Sequence, residues 1–151
     1  MANELSTNVS EMTQYIVIRI GDEQYGIDIK YIDNIVRLQQ ITRVPQVPEH
    51  FKGVINLRGE VIPVMSLRVK MGLEADETTK DTRIIIIKMA QHEPIGMMVD
   101  SVKEVVNLEA AEVEKGNADS GSEKAYVNGI GKHEGGLISL LDLDLVLQEI
   151  Q

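Results

Sequence analysis

Branched aliphatic residues arrive in short bursts along this chain, separated by Gly, Asp, Glu and Ser, and their spacing changes from burst to burst. YIVIRI (15–20) reads as a strand, GDE (21–23) as a turn, and QYGIDI (24–29) alternates as a second strand. The period then changes. Ile29, Ile32, Ile35 and Val36 recur at the spacing of one helical face, which predicts a helix over 29–37 with Asp28 as its N-cap. ITRV (41–44) is predicted extended, because the residue before Pro45 is pushed away from the helical region. PEHFKG (48–53) predicts one short helical turn, started by proline and ended by Gly53. GVINLRGEVIPV (53–64) follows as two apolar runs, Val54–Leu57 and Val61–Val64, around Arg58-Gly59. A tight hairpin accounts for Gly59, but such turns usually take asparagine or aspartate where this one has arginine.

Beyond a polar linker, GLEADETTKD (72–81), the bursts resume. RIIIIKM (83–89) reads as a core strand, HEP (92–94) as a turn and IGMMV (95–99) as another strand. EKGNADSGSEK (114–124) predicts a mobile loop. YVNGIGKHEGGLISLL (126–141) predicts two strands around a glycine-rich bend, and LDLVLQEIQ (143–151), preceded by Asp142, a terminal helix.

The two series of bursts form an approximate internal repeat. YGIDIKYIDNIVRL (25–38) lies over IGMMVDSVKEVVNL (95–108), so that Gly26 meets Gly96, Ile32 meets Val102 and Ile35 meets Val105. GVINLRGEVIPVMSL (53–67) lies over GIGKHEGGLISLLDL (129–143), with glycines matched at 53/129 and 59/135 and Arg58 opposite Glu134. A duplicated β unit follows. Each unit has about five strands, too few for an open sheet to bury both faces, so closure into small barrels is expected. Two such barrels would pack together with a groove between them.

Composition narrows what such a molecule can do. Apolar residues make up 43% of the chain, enough for a core without metals or staples, and the absence of cysteine removes disulfides and thiolate chemistry. The net charge of −9 disfavours generic nucleic-acid binding. That charge is uneven: residues 30–70 hold seven Lys/Arg against three Asp/Glu, while the remainder holds eight against twenty-one. A basic region on an acidic protein suits docking to an acidic protein surface, although uneven decoration explains it equally well. The polar start, MANELSTNVSEMT, lacks the basic and apolar regions of a signal peptide, and no apolar run is long enough for a membrane span, so the expected location is cytoplasmic. Residues 1–13 read as a flexible N-terminal arm.

GDEQYGIDIKYIDNIV, ITRVPQVPEHFKGVINLRGEVIPVMSLR and IGMMVDSVKEV together resemble the CheW family of chemotaxis coupling proteins. The order of the blocks matches over nearly the whole chain. The resemblance implies an all-β fold with short helices, in which two intertwined SH3-like five-stranded β-barrel subdomains make one CheW-like domain over 14–151. The first subdomain would span about 14–71 and the second about 81–141, with the terminal helix (142–151) able to pack back on the first. It also implies a non-catalytic adaptor without a cofactor. Its partners would be the cytoplasmic tips of methyl-accepting chemotaxis receptors and the regulatory domain of the histidine kinase CheA, with neither nucleic acid nor membrane insertion. Matching the family pattern puts Ile32, Asp33 and Asn34 on the helix of the first barrel, Val102 and Val105 at the related positions of the second, and Gly53 and Arg58 in the hairpin block. These seven are the expected receptor- or kinase-binding residues. Ile32, Val102 and Val105 also suit a plain core role, Gly53 a purely conformational one and Arg58 a local salt bridge.

Enzyme readings find little support. His50, His92 and His133 are far apart, and no HExxH or comparable ligand set is present, so no metal site is expected. Asp142 and Asp144 read as a helix cap followed by a polar helical position, not as paired catalytic carboxylates. The serines lack a GxSxG elbow, and GIGKHEGG (129–136) lacks the GK[ST] ending of a phosphate loop. No catalytic residue is expected. Two rivals stay open: an accessory coupler of a non-chemotactic receptor–kinase system, and a small-barrel nucleic-acid-binding module, which the poverty in aromatics disfavours.

Overall fold

Among the residues described by the computed structural model (12–75, 77–90, 92–115, 126–134 and 136–148), the bursts become eleven strands in two mixed sheets. The first half supplies β1 (Met12–Ile20), β2 (Glu23–Asp28), β3 (Ile32–Arg37), β4 (Phe51–Leu57) and β5 (Glu60–Ser66). The second supplies β6 (Arg83–Ile87), β7 (Ile95–Val99), β8 (Ser101–Glu109), β9 (Val113–Lys115), β10 (Val127–His133) and β11 (Gly136–Leu141). Two single-turn helices complete the chain, α1 (Leu67–Lys70) and α2 (Leu143–Val146), together with 3-10 turns at Ile29–Tyr31 and Ala110–Glu112. The region 116–125, which holds most of the expected mobile loop, lies outside the described residues, as do Gly135 and the last three positions.

The expected pair of closed SH3-like five-stranded barrels is not what forms. The hydrogen-bonded order is an open line in each sheet, β8-β1-β2-β11-β10-β9 in one and β3-β6-β7-β5-β4 in the other. The reason is a reciprocal exchange between the halves. Val64 of β5 pairs in parallel with Gly96 of β7, and Leu140 of β11 pairs in parallel with Gly26 of β2. Parallel neighbours cannot be joined by a tight turn, so these contacts form between distant segments and lengthen each ladder with strands of the other half. β1 likewise pairs with β8, and β3 with β6.

The internal repeat is thus also a repeat of pairing. Gly26 and Gly96 stand at the two equivalent crossings. A Cβ on Gly96 would lie 2.8 Å from Ile84 Cγ2 and 3.3 Å from Val64 Cγ2, and one on Gly26 would lie 2.8 Å from Leu140 Cδ2. β4 and β10 carry equivalent bulges, at Phe51/Gly53 and Val127/Gly129. The helices are equivalent too: Ser66 Oγ accepts the Val69 N–H at 3.1 Å, and Asp142 Oδ1 accepts the Leu145 N–H at 3.3 Å.

Both faces of β6 and β7 are covered, which explains runs such as IIII where alternation would be expected. Ile85 and Ile87 enter a central core with Ile16, Ile18, Ile20, Met97 and the α2 residues Leu143 and Val146. Ile84 and Ile86 enter a second cluster with Ile55, Ile62 and Val64 on the opposite face, while Val17, Val106, Leu108, Ile138 and Leu140 form a third.

The predicted helix over 29–37 is corrected to one 3-10 turn followed by β3. Its cap is real, with Asp28 Oδ1 accepting the Lys30 N–H at 3.0 Å. The apparent helical spacing has a different cause. The β3–β6 register shifts between Ile32 and Asn34, and one extra residue there returns Ile32 and Ile35 to the same face. Both pack against the central core, as does Ile29. The turn predicted at 48–53 is shorter: the Phe51 N–H donates to Pro48 O at 3.0 Å, and β4 begins at Phe51, so Gly53 lies inside a strand.

One ion pair ties the elements together. Arg68 Nη1 of α1 meets Asp100 Oδ2 at 2.7 Å, between β7 and β8. The same oxygen accepts the Gly21 N–H of the β1–β2 turn at 2.8 Å. Partial exposure keeps this link modest, on the order of 1 kcal/mol.

The crossings generate a graded prediction. Gly96→Ala should destabilise the fold by about 1–3 kcal/mol in urea unfolding, because the γ-methyl of a β-branched isoleucine cannot swing clear. Gly26→Ala should cost somewhat less, since its nearest neighbour, Leu140 Cδ2, is the far end of a flexible side chain and the β-branched Ile138 Cγ2 stands back at 3.1 Å.

Candidate functional site

The bulge in β3 and the edge positions of β3 and β8 decide where the seven expected residues stand. Ile32, Asp33 and Asn34 lie on edge strand β3 and not on a helix, so that part of the expectation is corrected. Ile32 is partly buried opposite Ile87, and Asp33 is exposed. Asn34 turns its side-chain oxygen back on the bulge, accepting the Ile35 N–H at 2.9 Å. Val102 and Val105 lie on β8, the edge of the other sheet, opposite Ile18 and Ile16. Val102 packs against the central core, as Ile32 does, whereas Val105 is 48% exposed. Ile32 and Val102 therefore pack against one central core from two different sheets.

The hairpin pair separates into two distinct cases. Gly53 is buried with φ +140°, and a Cβ there would lie 2.2 Å from the Thr42 carbonyl oxygen. That contact belongs to an isolated bridge, with Thr42 N donating to Val54 O at 2.8 Å and Val54 N to Thr42 O at 2.9 Å. Gly53 thus admits the 41–44 segment beside β4, and it presents no side chain to a partner.

Arg58 is exposed at the tip of a two-residue turn, Leu57 facing Glu60 across it. Arg58 has φ +56° and Gly59 φ +86°, the left-handed pair of a type I′ hairpin, while Asn56 Oδ1 accepts the Gly59 N–H at 3.0 Å. The left-handed region costs a non-glycine residue roughly 1–2 kcal/mol. Glu134, at the equivalent turn, has φ +52°. The strain therefore repeats and the charge does not. Among the described residues no carboxylate comes within ion-pair distance of Arg58.

A feature that sequence reasoning passed over is the pair of exposed aliphatic residues beside these tips, Val61 at 62% and Leu137 at 59%. They occupy equivalent positions, and their alternation with buried Ile62 and Ile138 was the available signal. The α1 turn was also missed, although Ser66 matches the capping position of Asp142 in the repeat.

Nothing among the described residues gathers acid–base machinery. No group of three His, Cys, Asp or Glu side chains could hold a metal ion there. His133 Nε2 lies 3.7 Å from its neighbour Glu134, and His50 is buried with its carbonyl accepting the Ser66 N–H at 2.7 Å. Asp142 caps α2, and Asp144 is exposed in its first turn. The Tyr15 phenol is pushed above its ordinary value by burial first and then by the Asp28 carboxylate. No helix among the described residues is long and apolar enough to cross a membrane.

Residues 14–151 match the family model described as the CheW-like domain. The chain is 34% identical over 139 residues to the chemotaxis protein CheW of Helicobacter pylori, covering 92% of this chain and 84% of that protein. It is 33% identical over 148 residues to the chemotaxis protein CheW of Bacillus subtilis, covering 96% and 93%. Its fold is similar to the crystal structure of the scaffolding protein TtCheW from Thermoanaerobacter tengcongensis, with a TM-score of 0.83 and 32% identity over 90% of this chain and 92% of that one.

Two substitutions separate conformation from contact. Gly53→Ala should cost about 2–4 kcal/mol and speed amide hydrogen exchange at Thr42 and Val54, because both bridge bonds are lost along with the backbone fit. Arg58→Asn, which suits the left-handed turn better, should raise the unfolding free energy by up to about 1 kcal/mol.

Proposed function

We propose that this chain, which belongs to the CheW-like domain family, is a non-catalytic adaptor that couples transmembrane chemoreceptors to the histidine kinase CheA. The observation that carries this reading is the family match over 14–151, which takes in strands of both exchanged sheets. The adaptor works in the cytoplasm, held at receptor arrays through protein contacts.

The chemistry fits an interaction protein. Exposed Val105 and partly buried Val102 on β8, with partly buried Ile32 on β3, offer apolar area for a receptor helix tip to bury. Asp33 and Arg58 supply charges that set register and partner choice. Because the adaptor donates no reacting group, it acts on the kinase by favouring one of its conformations, through contacts stronger in that state than in the other. Rigidity is then useful: two sheets built from exchanged strands can transmit a change in one partner's position without flexing between the halves.

Phosphate transfer in a reconstituted mixture of cognate receptor and kinase should rise when this protein is added, and the protein alone should show no ATPase. Arg58→Ala should reduce that stimulation severalfold while shifting the melting temperature by less than about 4 °C. An unchanged kinase rate with verified cognate partners would sink the coupling role. Loss of folding in Arg58→Ala, with normal stimulation by the folded fraction, would make Arg58 architectural.

A further inference from the structure

The chain passes from one sheet to the other at a single residue. Asp100 alone separates β7, in the middle of its sheet, from β8, at the edge of the other. Among the described residues β8 pairs with β1 alone, and the register shifts there, with Lys103 as the extra residue between Val102 and Glu104. The corner is held from two sides. Asp100 Oδ2 accepts from Arg68 Nη1 at 2.7 Å and from the Gly21 N–H at 2.8 Å. Arg68 Nε donates in turn to the Glu74 carbonyl at 3.0 Å. Arg68 belongs to α1, which is capped by fully buried Ser66, itself opposite Met98 of β7. Asp100 thus links an anchor on the sheet that β8 leaves to the β1–β2 turn of the sheet that it joins.

The equivalent corner of the first half is built otherwise. Under the internal repeat Asp100 corresponds to Lys30 and Arg68 to Asp144, so the two charges are exchanged. β2 passes to β3 through the 3-10 turn Ile29–Tyr31, which is closed locally by Asp28 Oδ1 on the Lys30 N–H. Lys30 and Asp144, both among the described residues, form no ion pair with each other. The fold therefore makes such a corner without a long-range clasp, and Arg68–Asp100 is an addition on the β8 side. Its side chains are 21% and 32% exposed, so it contributes little to global stability.

We infer that Arg68 and Asp100 are positioning residues for receptor coupling. They fix the angle at which β8 leaves the corner, and so the place where Val102 and Val105 meet a receptor helix tip. This rests on the reading above that β8 offers apolar area to that tip. Placement matters to such a contact, because a gap of about 0.5–1 Å already forfeits a quarter or more of the dispersion energy. Val105 is the sensitive position. It is 48% exposed, whereas Val102 packs against the central core. A forked arginine suits the task, since one guanidinium holds the Asp100 carboxylate and the Glu74 carbonyl in fixed relative positions.

Affinity of the full chain for a cognate receptor cytoplasmic tip, measured alongside thermal unfolding, tests this role. Arg68→Gln and Asp100→Asn should each weaken binding about threefold to tenfold, while the melting temperature falls by less than about 4 °C. The double variant should bind no more weakly than either single one, because the same clasp is lost in every case. Val105→Ala should then cost less affinity in the Asp100→Asn background than in the unsubstituted protein, a coupling that a purely structural ion pair does not produce. Arg68→Lys, which keeps the charge but not the fork, gives the same readout should either variant fold poorly. Additive losses, or wild-type affinity in both clasp variants while Val105→Ala weakens binding, would overturn the positioning role and leave the adaptor reading standing. Undiminished affinity in Val105→Ala would take β8 out of the contact and overturn the positioning role as well. Absence of binding by the unsubstituted protein would overturn both.

Discussion

Four ladders hold the halves of this molecule in one body: antiparallel β1–β8 and β3–β6, and the parallel contacts of Val64–Ser66 with Gly96–Met98 and of Ser139–Leu140 with Tyr25–Gly26. Each half gives the other two strands, β1 and β2 to one sheet and β6 and β7 to the other, so neither half completes its sheets alone. The close approach demands glycine at both crossings, and the side chains that fill the space, Ile84 in one case and Leu140 in the other, belong to the surrounding clusters. Packing of the central core follows, since strands of both sheets and both helices meet there. The edges that the exchange leaves are β8 and β9 in one sheet and β3 and β4 in the other.

Pseudo-symmetry of this kind makes departures from it informative. Conformational features repeat: the bulges at Gly53 and Gly129, the left-handed φ at Arg58 and Glu134, the capped turns after Ser66 and Asp142. Charge does not repeat. Arg58 stands where the other half has Glu134, and Arg37–Arg83 stands where it has Asn107 and Gln14. A duplicated fold keeps what the backbone needs in both copies and is free to differ where a side chain meets solvent or a partner. The charged differences fall at a hairpin tip and a strand end, where no core packing constrains them.

Much of this was legible in the residues. The strand bursts, the hairpin at Arg58-Gly59 and the Asp28 and Asp142 caps follow from local pattern, and the correspondence of Gly26 with Gly96 from the internal repeat. The helix over 29–37 was misread because a β-bulge inserts one residue and turns an alternation of two into a spacing of three, which periodicity alone cannot distinguish from a helical face. The closed barrels were misread because a count of strands per half assumes that each half pairs with itself. Among the candidate residues, Gly53 was visible as a glycine, but its purpose lies in the Thr42 carbonyl, whose approach no linear spacing reveals.

By itself, then, the sequence determined the strand-rich class, the two-fold repeat, the positions of turns and caps, and the membership of the CheW-like family, because each depends on neighbouring residues or on their order. Tertiary structure alone decided which strands pair across the halves, that the sheets stay open, that Ile32 and Val102 pack against the same central core, and that Arg37 faces Arg83. Those outcomes are set by contacts between distant segments, where a parallel crossing or a one-residue bulge changes partners and faces without altering any local pattern.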